Sequence, residues 1–244
     1  MLVKKTNTMK TKLLALISVA LCAVSCISSV PYAKGEIEER TYTVEGDITA
    51  LAASAGFDVV VDATLPRGEV RIVTHSDLFE DVEVGVENNS ISLKLKSFSL
   101  RPKTLKAIVP DYNYDAVAIS GGVDLLWEGC NSPNLTLAAS GGADAKITAV
   151  EAESLTVVVS GGADAEIEGA CNLLTVAVSG GADFLGGTLE AKSAEVVASG
   201  GADAVVLAVE SLNIAASGGA DVVYIGEPEH SDIKTSGGAS VSHR

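Results

Sequence analysis

The string Ser-Gly-Gly-Ala-Asp constrains this chain more than any other feature. It first appears complete at residues 140–144 and recurs to the C-terminus, its serines being Ser120, Ser140, Ser160, Ser179, Ser199, Ser217 and Ser236. Successive copies are therefore 20, 20, 19, 20, 18 and 19 residues apart. Self-similarity at a fixed period of this length is the mark of a solenoid, in which a repeat buries its apolar face only by stacking on its neighbours.

One repeat shows how. Leu155, Val157 and Val159 alternate with Thr156 and Val158; the chain bends at Ser160-Gly161-Gly162; then Ala163, Ala165 and Ile167 alternate with Asp164, Glu166 and Glu168. Side chains at period two share one face of a strand, so both apolar sets point inward from two strands of one coil. The glycine pair supplies backbone dihedrals that a Cβ would obstruct, and a second corner at residues 169–172 returns the chain to its start. Stacked coils form parallel ladders about 4.8 Å apart. The expectation is an all-β, single-stranded, right-handed parallel β-helix with coils of about 18–20 residues, parallel crossovers being right-handed as a rule. A left-handed hexapeptide helix would need an aliphatic residue every six positions, which this sequence lacks.

Ahead of the repeats, residues 46–119 carry strand patterns without an obvious period, such as Phe57, Val59 and Val61, or Ile91, Leu93 and Leu95, separated by turn residues including Pro66-Arg67-Gly68. These read as irregular coils, and residues 120–244 as the regular ones of a single head domain spanning 46–244. Residues 26–45 are polar and read as a tether. Residues 1–25 read as a lipoprotein-type signal peptide: Lys4, Lys5, Lys10 and Lys12 precede an uncharged apolar run at 13–24 that is too short to span a bilayer, and Ala23-Val24-Ser25 leads to Cys26 as the lipidation site. Cleavage after Ala33, giving a periplasmic or secreted form, is the competing reading.

The segments Ala55-Gly56-Phe57-Asp58-Val59-Val60-Val61, Gly68-Glu69-Val70 and Asn89-Ser90-Ile91-Ser92-Leu93, followed by the serial corners, resemble the family described as "putative auto-transporter adhesin, head GIN domain". The resemblance covers about residues 42–241. It implies a right-handed β-helix related in shape to pectin lyases, export in a Gram-negative bacterium, placement at the outer membrane or cell surface, and a role in adhesion. It carries no catalytic residues to this chain.

Three groups of residues stand out. Asp124, Asp144, Asp164, Asp183, Asp203 and Asp221 should form a column. Unit charges 4.8 Å apart in water repel by roughly 0.9 kcal/mol, so five adjacent pairs oppose folding by about 4 kcal/mol before screening. Hydrogen bonds at each corner are the ordinary relief; a column of cation or ligand sites is the sharper reading, although calcium wants more oxygens than one carboxylate per coil supplies. Two residues further on, Leu126, Lys146, Glu166, Leu185, Val205 and Val223 should face outward, and Leu126, Leu185, Val205 and Val223 make a possible interface for self-association or a ligand. Finally, Cys130 and Cys171 lie two coils apart, too far for a disulfide, and should be separate buried thiols.

Lys and Arg total 17 against 32 Asp and Glu, a net charge of -15. Loss of the leader's four lysines takes this to about -19, so nucleic acid is a poor partner and a membrane is reached only through the lipid anchor. No cofactor is expected, and His75, His230 and His243 give no catalytic constellation. The function expected is a non-enzymatic, adhesion-like or structural role on a cell-surface ligand, a glycan or a host or cell-surface protein. The alternative is a carbohydrate-active protein that degrades or binds polysaccharide.

Overall fold

The structure, a computed structural model, describes residues 30–244; the leader, Cys22 and Cys26 lie outside them. The regular elements among the described residues are all strands. In chain order they are β1 (Ile37–Thr43), β2 (Ala50–Ala53), β3 (Asp58–Asp62), β4 (Glu69–His75), β5 (Val82–Glu87), β6 (Ser90–Leu95), β7 (Leu105–Pro110), β8 (Ala116–Ser120) and β9 (Asp124–Glu128). Then come β10 (Asn134–Ser140), β11 (Asp144–Gly161), β12 (Asp164–Gly180), β13 (Asp183–Gly200), β14 (Asp203–Ala216), β15 (Asp221–Ile225), β16 (His230–Thr235) and β17 (Ser240–His243).

From β8 onward each coil stacks in parallel on the next and equivalent residues are in register: Leu135 on Leu155 on Leu174, Val157 on Val176 on Val196, Ser140 on Ser160 on Ser179 on Ser199. The molecule is a β-solenoid. The inward sets are buried almost without exception, and the corner alanines Ala143, Ala163, Ala182, Ala202 and Ala220 are fully enclosed.

The corners explain why the repeat is glycine-rich. The amide of Gly181 donates to the Gly161 carbonyl at 2.8 Å, and Gly201 to Gly180 and Gly219 to Gly200 follow at 2.7 and 2.6 Å. The bends are thus hydrogen-bonded from coil to coil like the strands between them, which leaves few corner groups unpaired. This close approach excludes a side chain. At Gly180 φ is +86°, and a Cβ there would lie 2.9 Å from the Gly161 carbonyl oxygen.

A coil has three sides rather than two strands joined by a simple return. The expected corner at 169–172 is itself a short third side, whose residues Gly169, Ala170 and Cys171 stack on Val150, Glu151 and Ala152 below and on Leu189, Glu190 and Ala191 above. Too few residues lie there to display a period, so the sequence conceals it. Gly169, with φ at +135°, brings its backbone so close to Val150 that a Cβ would stand 2.3 Å from the Val150 carbonyl oxygen.

The N-terminal part departs from simple stacking. β2 lies between β6 and β8, and β3 between β7 and β9, all in parallel. The coil of β2 and β3 is therefore sandwiched between a later piece of chain beneath it and the first regular coil above. The base is closed by antiparallel pairing of β1 with β4, β4 with β7, and β5 with β6. Residues 37–43, read from sequence as tether, are thus an edge strand of this cap. Six of its seven residues are exposed, so no apolar alternation marked it.

Candidate binding face

The aspartates come together as one row. Asp124, Asp144, Asp164, Asp183, Asp203 and Asp221 are successive register partners along the second side of the solenoid. The row continues below Asp124 to Asp58 and ends at Lys106, and above Asp221 it ends at Ser240. Asp58 was missed because its corner reads Ser54-Ala55-Gly56-Phe57-Asp58. The signal that could have found it is Ser-x-Gly-x-Asp with the same backbone geometry: φ is +73° at Ala55 and +75° at Gly56.

The expected relief of this charge is present only in part. Among the described residues no side-chain donor and no salt bridge reaches these seven carboxylates; the Asp203 amide is a hydrogen-bond donor to Asp183, and the corner amides bond mainly carbonyls of the neighbouring coil. Burial, then the charges of Asp144 and Asp58, raise the pKa of Asp124 above the ordinary carboxylate value. Burial, then Asp164 and Asp203, do the same at Asp183. Among the described residues no three His, Cys, Asp or Glu side chains are arranged to hold a metal ion. The row is a line of single carboxylates, a geometry suited to long-range attraction of cationic groups.

Beside it runs the second outward row: Ile108, Val60, Leu126, Lys146, Glu166, Leu185, Val205, Val223 and Ser242. No loop covers it. Leu126 is 37% and Leu185 47% exposed, and Val205 and Val223 are half-buried. Lys146 donates to Glu166 at 2.9 Å, so one ion pair divides the row into two apolar stretches. On the first side the corresponding outward row is Ala52, Ala118, Ala138, Val158, Ala177, Val197 and Ala215. Its small side chains floor an open depression of about 170 Å³ near Lys94 and Ser120. A second depression of about 280 Å³ lies between Asp58 and Leu126.

The nucleophiles and bases are scattered. Cys130 and Cys171 are separate, buried thiols, and burial pushes them up to about 12 and about 11. His75 sits in the N-terminal cap with Nδ1 2.8 Å from the Gly35 carbonyl. His243 stacks on Tyr224 with ring centres 4.7 Å apart. Trp127, expected to face inward, is fully buried, and its Nε1 donates to Asp111 at 3.2 Å.

Several solved structures share this fold. A putative adhesin of Bacteroides fragilis superposes with a TM-score of 0.81 at 20% identity, covering 87% of this chain and 99% of that one. A putative adhesin of Parabacteroides distasonis gives 0.69 at 14% identity over 88% and 100% of the two chains. A putative lipid binding protein of the same species gives 0.67 at 17% identity over 87% and 98%. No curated protein matches the chain significantly. The model of one family aligns with residues 47–228, from the coil sandwiched in the N-terminal part to the last regular third side. This chain accordingly belongs to the family described as "putative auto-transporter adhesin, head GIN domain".

Proposed function

We propose that the protein is an exported surface module, anchored through a lipid on Cys26, that binds another surface without catalysing a reaction. The observation that carries this reading is the pairing of two straight outward rows, one of carboxylates that no salt bridge neutralises among the described residues and one largely apolar, on a single rigid sheet. A wide face with shallow depressions suits contact with a macromolecule, whereas turnover of a small substrate calls for a concave site with convergent polar groups. Membership of an adhesin family and the lipobox at residues 23–26 point the same way.

The test is protease treatment of intact cells, followed by binding of the purified chain to a glycan array and to immobilised cell-surface proteins. Surface exposure and a binding signal lowered at least tenfold by Leu185→Lys with Val205→Lys are expected. Protection from added protease, or release of reducing ends from an array glycan, would overturn the reading. A second reading, an apolar ligand such as a lipid, is favoured by the exposure of Leu185 beside Val205 and Val223. Flotation with neutral phosphatidylcholine vesicles distinguishes it.

A further inference from the structure

The two ends of the solenoid are finished differently. At the N-terminal end the outermost strand β1 carries Glu38, Glu39 and Arg40, the kind of charged edge that blocks further strand pairing. At the other end, among the described residues, β16 pairs only with β14, and β17 only with β15. Ser231, Ile233 and Thr235 of β16 stand directly above the buried Leu212, Ile214 and Ala216. Ile233 therefore caps the apolar column of the core and is 39% exposed. A row of free backbone groups over an open core end is a template for another strand.

We propose that this last coil docks on the same coil of a second copy, with β16 antiparallel to its counterpart about a two-fold axis through Ile233. The charges select this arrangement. In an antiparallel pair, residues opposite one another point to the same face. With Ile233 opposite Ile233, Asp232 lies opposite the second copy's Lys234 and Lys234 opposite its Asp232, both on the outward face. Ser231 meets Thr235 twice on the inward face, where two hydroxyls can bond each other. Within one chain Lys234 and Asp232 already pair along the strand, with side chains 74% and 58% exposed, so the exchange requires no burial of an unpaired charge. The column Ile214–Ile233 becomes continuous across the junction.

The same axis treats the other sides consistently. A coil climbs one strand spacing, about 4.8 Å, per turn. Residues 226–229 precede β16 by about a third of a turn, and β17 follows it by as much. The axis that sets the two β16 strands one spacing apart also sets β17 one spacing from residues 226–229 of the second copy. The acidic Glu227 and Glu229 then face the cationic Arg244 and the imidazole of His243. An isologous contact of this kind closes at two copies and does not propagate into fibres.

The experiment is light scattering of the full chain over a concentration series, with charge reversals that test the register. A dimer is expected for the wild type, and a dissociation constant raised at least tenfold for Asp232→Lys and for Lys234→Asp, since each places like charges opposite one another. The double swap Asp232→Lys with Lys234→Asp should restore the dimer. Ile233→Cys, on the axis, should form a disulfide-linked dimer under mild oxidation, while Phe98→Cys, exposed in the N-terminal part, should not. A wild type that stays monomeric, a dimer indifferent to both single reversals, a double swap that stays monomeric, equal cross-linking at both cysteines, or assembly beyond two copies would each overturn the proposal. Circular dichroism confirms that the variants, all at exposed positions, are folded.

Discussion

The N-terminal part and the repeat part of the solenoid are held together in different ways. Below β9, large rings and side-chain bonds join segments distant in sequence. Tyr114 meets Trp127 edge-on with centres 5.7 Å apart, and its hydroxyl donates to the Pro110 carbonyl at 2.6 Å. Arg67 lies over the Tyr112 ring, whose hydroxyl accepts the Gly68 amide at 2.8 Å, and Arg40 lies over Phe79. Above β9 the core is mostly alanine and valine, and a coil leans only on its neighbours. Stability in the repeats is then a sum of nearest-neighbour terms, whereas in the N-terminal part a single loss is felt by several segments at once.

The largest effect expected is therefore at Trp127. Trp127→Ala should cost roughly 3–5 kcal/mol and lower the transition of the N-terminal part and the coils stacked on it together, as read by thermal unfolding followed by circular dichroism. Phe184 is the matching test in the repeats. It occupies a position that is alanine in the coils on either side, Ala165 and Ala204, and it fits because Gly186 stands next to it: a Cβ there would lie 2.6 Å from Phe184 Cε1. Phe184→Ala should cost about 3 kcal/mol but confine the loss to β12–β14, visible as faster amide exchange there with protection of β2–β8 unchanged. Adding Gly186→Ile, which recreates the Ala-x-Ile pattern of Ala145 to Ile147, should recover part of it. Equal loss of protection in both halves would break the contrast.

That contrast also marks where the sequence was legible. Where contacts are local in register, as at Ser160, Ala163 and Asp164, spacing alone placed the strand, the corner and the column. Where they are distant in sequence, nothing in the spacing pointed to them: β2 between β6 and β8, Tyr112 on Gly68 and Lys106 under Asp58 depend on chain crossing. The aspartate row was legible as a row, but its lack of side-chain donors and salt bridges among the described residues was not, because the corner is built mainly by amides bonding the coil below.

Gly180→Ala should show a smaller effect than either core change. Left-handed backbone costs a residue with a Cβ roughly 1–2 kcal/mol, and the contact at 2.9 Å from Gly161 adds to it. The loss should again be local, in the protection of the Gly181 and Gly201 amides, whereas the same substitution at Gly142, where φ is +80° and a Cβ meets nothing within 4 Å, tests the backbone strain alone.

The smallest effect separates the two regions by sign. In the N-terminal part, hydrogen bonds from Thr64 hold Asp62 below the ordinary value of 3.8, those from Ser97 and Ser99 do so for Asp81, and the Lys34 amide does so for Asp77. The stabilisation they provide is complete above that value and is lost as pH falls through the depressed ones. At Asp124 and Asp183 the folded values are raised, first by burial and then by neighbouring carboxylates, so the folded state holds its protons to higher pH than the unfolded chain. These two carboxylates therefore oppose folding most at neutral pH, and this opposition fades as pH falls through the raised values toward 3.8. Lowering the pH from 7 should first raise the protection factors of β11–β14, each rate being referred to the intrinsic exchange rate at its pH, and only below the ordinary carboxylate range lower those of β3–β6. Asp183→Asn removes a charge from the middle of the row and should slow exchange in β12–β14 at pH 7 while flattening its rise in protection on acidification. If the protection factors there are insensitive to pH above 4 in both proteins, the carboxylates are screened too well for the row to bear on stability, and its charge acts outward only.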